Sequence, residues 1–337
     1  MINITYLIPL DSLGGGVEVA AKGVKNISNP NFNFNVEYIC QDKTELFSIM
    51  VFWKAFKKVF SNKPEVLILS LWRSQLIGIF VKLVLPRTKI IFFVHSAEDA
   101  HYLDYILSRL TLIVASEVWG DSITSLKDRF KHSLKKVNEG RVISFSARKI
   151  SQLSKRNVEP SFIFWGRVGK EKGVERSVLI FSKILKFYPH AIFYIIGSDG
   201  GTLDKVKELC NELKVNKSVF FYNEMEFSDI EKYAKKACFY LQTSLYEGAA
   251  MSVMESMKLG LVPIVTPVGE ISRYCNSGNS ILVYSNNEVA RDVIMVLESQ
   301  KLYGLLSANA ALKFKHEMTY VDSVTNSCNA IVNKWFN

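Results

Sequence analysis

The chain has 337 residues and a formal net charge of +10, which is length enough for two domains, each with its own core. Hydrophobic residues make up 48% of it, yet Arg73, Lys82, Arg87 and Lys89 interrupt the runs Val66–Trp72, Leu76–Leu85 and Ile90–Val94, so none reaches the roughly 18 apolar residues of a membrane span. The five cysteines (Cys40, Cys210, Cys238, Cys275 and Cys328) are scattered and form no C-x-x-C pair, which argues against a disulfide frame or a zinc site and predicts reduced thiols in a cytosolic protein.

In chain order, the opening MINITYLIPL runs straight into a strand-like segment. It has neither a basic leader nor a small-residue cleavage site, so no signal peptide is expected. Strands are expected at Asn3–Ile8, Asn35–Ile39, Val66–Leu69, Ile90–Val94 and Leu112–Ala115, then at Ser161–Trp165, Ala191–Ile196, Val219–Tyr222, Phe239–Gln242, Val262–Val265 and Ile281–Val283. Helix-like stretches separate them, among them Val17–Ile27, Leu46–Phe60, Val174–Phe187 and Met251–Leu259. Repeated βα units predict an α/β protein whose parallel sheets are covered on both faces. Two such series predict two doubly wound, Rossmann-like domains over residues 1–155 and 156–316, joined by the polar linker Ala147–Pro160. A last helix over about 317–337 is expected to pack back on the first domain.

Charge is uneven. Residues 1–155 carry 21 Lys and Arg against 13 Asp and Glu, and residues 156–337 carry 21 against 19. A basic first half suits an anionic partner, whether nucleic acid, an anionic bilayer or a phosphate-bearing lipid.

Four motifs carry candidate chemistry. Gly14-Gly15-Gly16 follows the first strand and opens a helix, where backbone N–H groups can meet an anion; a flexible βα turn is the plain alternative. It is not G-x-G-x-x-G, and no acidic residue ends the second strand, so a dinucleotide-dependent dehydrogenase is disfavoured. Gly166–Gly173 places Arg167 and Lys172 on a glycine-bearing turn after a strand, where two cations could hold a diphosphate; the alternative is a solvated basic loop. Gly197-Ser198-Asp199-Gly200-Gly201 ends another strand, and turn chemistry alone accounts for it, although a nucleotide could sit nearby. Glu247–Glu255 sets two carboxylates eight residues apart around the small residues Gly248, Ala249 and Ala250 at a helix start. The two could accept hydrogen bonds from sugar and ribose hydroxyls, or be surface glutamates of an amphipathic helix.

Together these motifs resemble the retaining GT-B glycosyltransferases of family 4. Glu247–Glu255 is similar to their E-x7-E signature, Gly166–Gly173 to G-R-x-x-x-x-K-G, Gly14–Gly16 to their N-terminal glycine loop, and Phe92-Phe93-Val94-His95 to a strand ending in histidine. The resemblance runs from residue 14 to about 270. It implies two Rossmann-like domains facing across a cleft, with the acceptor bound by the first and the nucleotide-sugar donor by the second. It also implies that Arg167 and Lys172 bind the diphosphate, Glu255 the ribose and Glu247 the transferred sugar. Backbone groups of Ala250, Met251 and Ser252 would contact phosphate or sugar, Gly15 and Gly16 would approach the diphosphate, and His95 would lie beside the reacting sugar. The base would lie near Gly197–Asp199 and Tyr222–Glu224. The sequence departs from many relatives at Val142–Ser146, where an Asn-Gly turn is usual, and at the less glycine-rich Ala249-Ala250.

The resemblance implies a hexosyltransferase acting with retention on a nucleotide sugar, a UDP-sugar in preference to GDP-mannose. Its acceptor would be a lipid-linked or polysaccharide chain of bacterial surface glycan (O-antigen, capsule or lipopolysaccharide) assembly. No cofactor or divalent metal beyond the donor is expected, because Arg167 and Lys172 supply the positive charge a metal would bring. A metal cluster of His95, Glu98, Asp99 and His101 is disfavoured for the same reason; Glu98, Asp99 and His101 are read instead as lining the acceptor side. Two basic segments, Phe52–Phe60 and Lys127–Lys136, suggest peripheral attachment to the inner face of the cell membrane; the alternative for each is a helix with one core face and one solvated face. An epimerase or phosphorylase on the same fold, an inactive scaffold and a nucleic-acid-binding protein are the competing classes. No helix-turn-helix, zinc, RRM or OB pattern supports the last.

Overall fold

In the computed structural model, residues 1–11, 16–96, 98–130, 135–144, 156–315 and 318–336 are described. Gly14, Gly15 and most of the expected linker, including the expected boundary at residue 155, lie outside them. The chain divides into two compact units, one of Met1–Ala147 with Met318–Asn337 and one of Arg148–Glu317.

Unit 1 runs β1 (Ile2–Leu10), α1 (Gly16–Gly23), β2 (Phe32–Cys40), α2 (Ile49–Asn62), β3 (Val66–Ser70), α3 (Leu71–Val84), β4 (Lys89–Val94), α4 (Tyr102–Val114), β5 (Glu117–Gly120), α5 (Ile123–Arg129), α6 (Lys135–Asn138) and β6 (Arg141–Val142). Unit 2 runs β7 (Ser161–Trp165), α7 (Val174–Leu185), β8 (Ile192–Ile196), α8 (Leu203–Glu212), β9 (Val219–Tyr222), α9 (Phe227–Ala234), β10 (Phe239–Gln242), α10 (Met251–Lys258), β11 (Val262–Val265), α11 (Ile271–Tyr274), β12 (Ile281–Leu282), α12 (Asn286–Leu297) and α13 (Gln300–Lys313). The last helix, α14 (Tyr320–Phe336), belongs to unit 1.

The first sheet is ordered β2-β1-β3-β4-β5-β6 and the second β12-β11-β10-β7-β8-β9. All the strand pairings are parallel. The central strands β3, β7 and β10 are buried at every residue, which is why they read as unbroken apolar runs rather than alternating ones. In unit 1, Val59, Ile77 and Val81 pack on Leu67, Leu69 and Ile90 of the sheet. A second cluster joins Phe92 and Val118 to Leu112 and Leu126. Strand order reverses between β1 and β3 in unit 1 and between β7 and β10 in unit 2. The carboxyl ends of such neighbouring strands open a crevice where ligands bind.

Two local expectations are corrected. Leu112–Ala115 is the last turn of α4, not a strand, and the strand is Glu117–Gly120. The Lys136 ammonium caps that turn, donating to the carbonyls of Ile113 at 3.1 Å and Ala115 at 2.8 Å, a cation at the negative end of a helix. The acidic residue that makes β5 unlike a buried strand, Glu117, accepts from Trp119 Nε1 at 3.0 Å and pairs with Arg141 and Lys334. Leu46–Phe60 is likewise not one helix, because a 3-10 turn over Lys43–Phe47 ends at extended Ser48 before α2 begins.

The last helix is tied into unit 1 by polar contacts. Tyr320 donates to the Tyr6 hydroxyl at 3.3 Å, Ser323 Oγ accepts from the Ser144 amide at 3.0 Å, and Lys334 reaches Glu117 at 3.1 Å. No helix among the described residues is long and apolar enough to cross a membrane.

Candidate active site

Unit 2 assembles a site at its switch point. The turn after β7 and the turn after β10 are bolted together by backbone contacts. The Leu245 amide donates to the Glu171 carbonyl at 2.8 Å, and Thr243 Oγ1 donates to the Gly173 carbonyl at 2.6 Å. Gly173 has φ +61°, and a Cβ there would overlap the Thr243 carbonyl oxygen. Only glycine allows this approach without strain.

That approach brings Lys172 to Glu247. The ammonium donates to Glu247 Oε1 at 2.7 Å, and the same oxygen accepts from Gln242 Nε2 at 2.7 Å and Ser244 Oγ at 2.7 Å. The Glu247 side chain is 7% exposed and that of Lys172 is 21% exposed. Gln242 is fully buried. Its Oε1 accepts from Tyr240 at 2.5 Å and Ser252 at 3.0 Å. Burial drives the Tyr240 phenol well above its usual range, so it stays a neutral donor. The network is closed, and each member is oriented by another.

The helix α10 starts beside this network. Its cap, Ala250, takes the left-handed conformation at φ 54°, which costs a non-glycine residue roughly 1–2 kcal/mol. Tyr274 donates to the Ala249 carbonyl at 3.1 Å and steadies that turn. The first helical residues, Met251 and Ser252, present N–H groups that have no acceptor within the helix. Such N–H groups can meet an anion. One turn on, Glu255 is 8% exposed and its Oε2 accepts from Trp165 Nε1 at 3.1 Å. Trp165 ends β7, so the switch-point strands orient both carboxylates.

The remaining expected residues stand as follows. Arg167 is more than half exposed and pairs with Glu171 at 2.6 Å. Gly197 ends β8 at φ +155°, where a Cβ would overlap the Gly166 carbonyl oxygen, so its role in the fold is a close strand-end crossing. Asp199 Oδ1 accepts from the amides of Gly201, Thr202 and Leu203 at 2.7, 3.1 and 3.1 Å. Those amides hold its carboxyl below the usual range. The Tyr222 ring lies 4.7 Å from that of Tyr233.

His95 and Gly16 belong to unit 1. Gly16 is the exposed first residue of α1, and Gly15 lies outside the described residues. His95 follows β4, with its side chain 5% exposed. Its Nε2 shares a hydrogen bond with Ser70 Oγ at 2.7 Å, Ser70 meets the Tyr6 hydroxyl at 2.8 Å, and Asp121 Oδ2 lies 3.8 Å from Nδ1. Its ring is 4.2 Å from that of Phe93. Leu71, next to Ser70, sits at φ +66°, and such strain collects at functional sites. Asp99 is taken up by Arg109 and Arg129, at 2.5 and 2.9 Å. His101 caps α4 by accepting from the Asp104 amide at 3.2 Å.

Gln242, Ser244 and Trp165 in unit 2, and Ser70 and Tyr6 in unit 1, contact the candidate residues in ways that local sequence does not reveal. The polar residues that close the apolar strands β3 and β10, Ser70 and Gln242, are the signal that could have found two of them.

Comparison with known proteins bears on the same stretch. Residues 146–313 match the family model described as Glycosyl transferases group 1. The alpha-monoglucosyldiacylglycerol synthase of Acholeplasma laidlawii is 27% identical over 165 residues, 49% of this chain and 41% of that protein. The chain spans less than half the length of the curated relatives it matches. Among solved structures, HepE of Anabaena in complex with UDP-glucose gives a TM-score of 0.78 at 15% identity, covering 99% of this chain and 100% of that one. Sucrose-phosphate synthase of Thermosynechococcus elongatus gives 0.78 at 14% identity, covering 99% of both. The two six-stranded parallel sheets are thus those of the GT-B fold, and residues 146–313 are similar to the group 1 glycosyl transferases.

Proposed function

We propose that the chain is a retaining glycosyltransferase that moves a hexose or N-acetylhexosamine from a nucleotide sugar to a lipid-linked or polysaccharide acceptor in bacterial surface-glycan synthesis. The observation that carries this is the convergence of Lys172, Gln242 and Ser244 on Glu247 Oε1 beside the start of α10. It sets a fixed carboxylate, a cation and free helix N–H groups around one strand end. The carboxylate would accept hydrogen bonds from sugar hydroxyls. Lys172 and Arg167 would leave their present carboxylate partners in part and neutralise the diphosphate as its charge grows. Glu255 would hold the ribose, and the amides of Met251 and Ser252 would meet phosphate or sugar oxygens.

In the reaction, an acceptor oxygen bonds to the anomeric carbon on the face from which the diphosphate departs. The carbon–oxygen bond to diphosphate breaks, and the acceptor proton passes to a diphosphate oxygen. No carboxylate need act as nucleophile, and configuration is retained. A UDP-sugar is the favoured donor and GDP-mannose the second, in keeping with the UDP-glucose bound by HepE. A lipid acceptor accords with the name of the Acholeplasma relative. The enzyme would work at the inner face of the cell membrane without a divalent metal, and EDTA should leave its rate nearly unchanged. A nucleotide-sugar epimerase is the less favoured reading.

The test is hydrolysis and transfer across a panel of UDP-, GDP- and ADP-sugars, with the first-formed anomer read by NMR. Release of the nucleoside diphosphate with the donor's anomeric configuration is expected from at least one donor. Inversion would overturn the stereochemical assignment, C2 epimerisation without transfer would favour the epimerase, and inertness towards every donor and acceptor would overturn the proposal.

A further inference from the structure

Helix α2 carries a wider apolar face than a surface helix needs, since Trp53 and Phe60 stack on Phe56 at 5.3 and 6.1 Å. Phe52 and Phe56 pack towards the core with buried Ala55 and Val59. Met50, Trp53 and Phe60, at helical spacing, are exposed, and Ile49 at the start of the helix is 87% exposed. The feature continues onto the neighbours. Helices α2, α3 and α4 pack side by side, and Leu83 of α3 and Ile113 of α4 are 72% and 71% exposed. At the end of the layer where the helices start, side chains link all three. The Arg73 guanidinium lies over Phe47 at 4.9 Å and over Trp72 at 4.2 Å, and Trp72 meets His101, the cap of α4, at 5.0 Å.

Exposed charge on these three helices has one sign, although at the β2 edge Lys58 pairs with Glu37 and the exposed Glu45 shares a pocket with Lys54. The three helices contain a single carboxylate, Asp104, and it is buried and paired with Arg129 at 2.7 Å. Lys54 and Lys57 are exposed, and no carboxylate pairs with either among the described residues. Lys57 stands over the Trp53 ring at 5.5 Å. Apolar and aromatic side chains interleaved with cations, on three helices that carry no exposed acid, match the interface of an anionic membrane. A protein partner's acidic patch would match the cations but leave the exposed aliphatic groups of α3 and α4 unexplained.

The other basic segment of unit 1 is different. Arg129 is buried in ion pairs with Asp99 and Asp104, and Lys136 caps α4. Neither is available for a bilayer.

We infer that the outer face of α2, α3 and α4 is a docking surface for an anionic lipid bilayer. Apolar side chains of α2 would enter the headgroup region, while Lys54 and Lys57 meet lipid phosphates. The helix starts, and Ser70 and His95, lie at the carboxyl edge of the same sheet, so a docked face would bring lipid headgroups to that edge. This deepens the lipid-acceptor part of the proposed function. Vesicle binding requires no sugar transfer, so the two can fail separately.

The test is co-sedimentation of the full chain with vesicles of phosphatidylglycerol and phosphatidylcholine, and with phosphatidylcholine alone. Binding to the anionic vesicles only, weakening with salt, is expected. Lys54→Glu with Lys57→Glu should weaken it by about tenfold or more. Met50→Ser with Trp53→Ser should weaken it at both low and high salt. Both variants should keep the parental circular dichroism and donor hydrolysis. The inference is overturned if the parent ignores anionic vesicles or if both variants bind as well as the parent. A solution dimer broken by Trp53→Ser would also overturn it, by giving the face to a second copy. Vesicle binding by a parent that hydrolyses no donor would support this face and count against the transferase reading.

Discussion

At the end of β10 the Glu247 carboxylate receives three donors, one of them an ammonium, whereas at the end of β4 the His95 ring shares a hydrogen bond with the Ser70 hydroxyl and has a carboxylate 3.8 Å from its Nδ1. Both places are carboxyl ends of parallel strands, and both side chains are largely buried. The difference is in what each can do without its partners. Glu247 sits in a closed network where its charge is already compensated, so it can accept further hydrogen bonds from a sugar without first being ordered. His95 is positioned through Ser70 and Tyr6, a chain that continues to Tyr320 of the last helix. The first is built as a charged contact surface and the second as a braced ring.

The largest effect should come from breaking the Lys172–Glu247 pair. Lys172→Ala or Glu247→Ala should reduce transfer by roughly 100- to 1,000-fold or more, the scale of losing one preorganised charge contact, while circular dichroism still reports a folded chain. Full activity in either variant would remove that residue from the site. Leaving one partner unpaired also destabilises the fold, by less than the roughly 3–5 kcal/mol of a fully buried pair, since Lys172 is partly exposed.

Ser70→Ala separates the two regions next. It should cost about 1–3 kcal/mol in chemical unfolding, because Tyr6 and His95 both lose a buried partner, and it should lower transfer less than Lys172→Ala does. An equal or larger loss of transfer would make His95 the more demanding of the two ends. Gln242→Ala should have a smaller effect, about 1–2 kcal/mol in stability with a reduced kcat, since Lys172 and Ser244 still hold Glu247.

The smallest effect lies outside both ends. Burial pushes the thiol of Cys275 up to about 12 and that of Cys210 to about 11. The folded chain therefore keeps protons there that the unfolded chain gives up near its ordinary pKa of about 8.5. Stability from these groups is complete below that value and should fall as pH rises through about 12. Thermal melts of a Cys210→Ala, Cys275→Ala variant should show a shallower loss over that window than the parent.

The candidate-site residues could be named from the sequence because their motifs are local. Arg167 and Lys172 share one turn, and Glu247 and Glu255 bracket one helix start, so their types and spacing can be read in a short window. The partners around them cannot. Lys172 and Glu247 are 75 residues apart, as are Tyr240 and the Trp165 carbonyl it bonds, and Trp165 and Glu255 are 90 apart. Those pairs follow from β7 and β10 being neighbours, which no local pattern states. The mistaken strand at Leu112–Ala115 has the same cause. Its apolar, β-branched residues fit either element, and Lys136, 21 to 24 residues on, caps it as a helix.

The sequence alone determined two α/β halves with parallel sheets, most strand positions and the charged motif residues, because apolar runs, glycine turns and helical spacing are short-range signals. The tertiary structure decided the strand order that sets the switch points. It decided which donors converge on Glu247, and that Arg129 and Lys136 are structural while Lys54 and Lys57 remain on the surface. Each of these depends on packing between distant segments, where burial and partner geometry, rather than residue type, determine what a side chain can do.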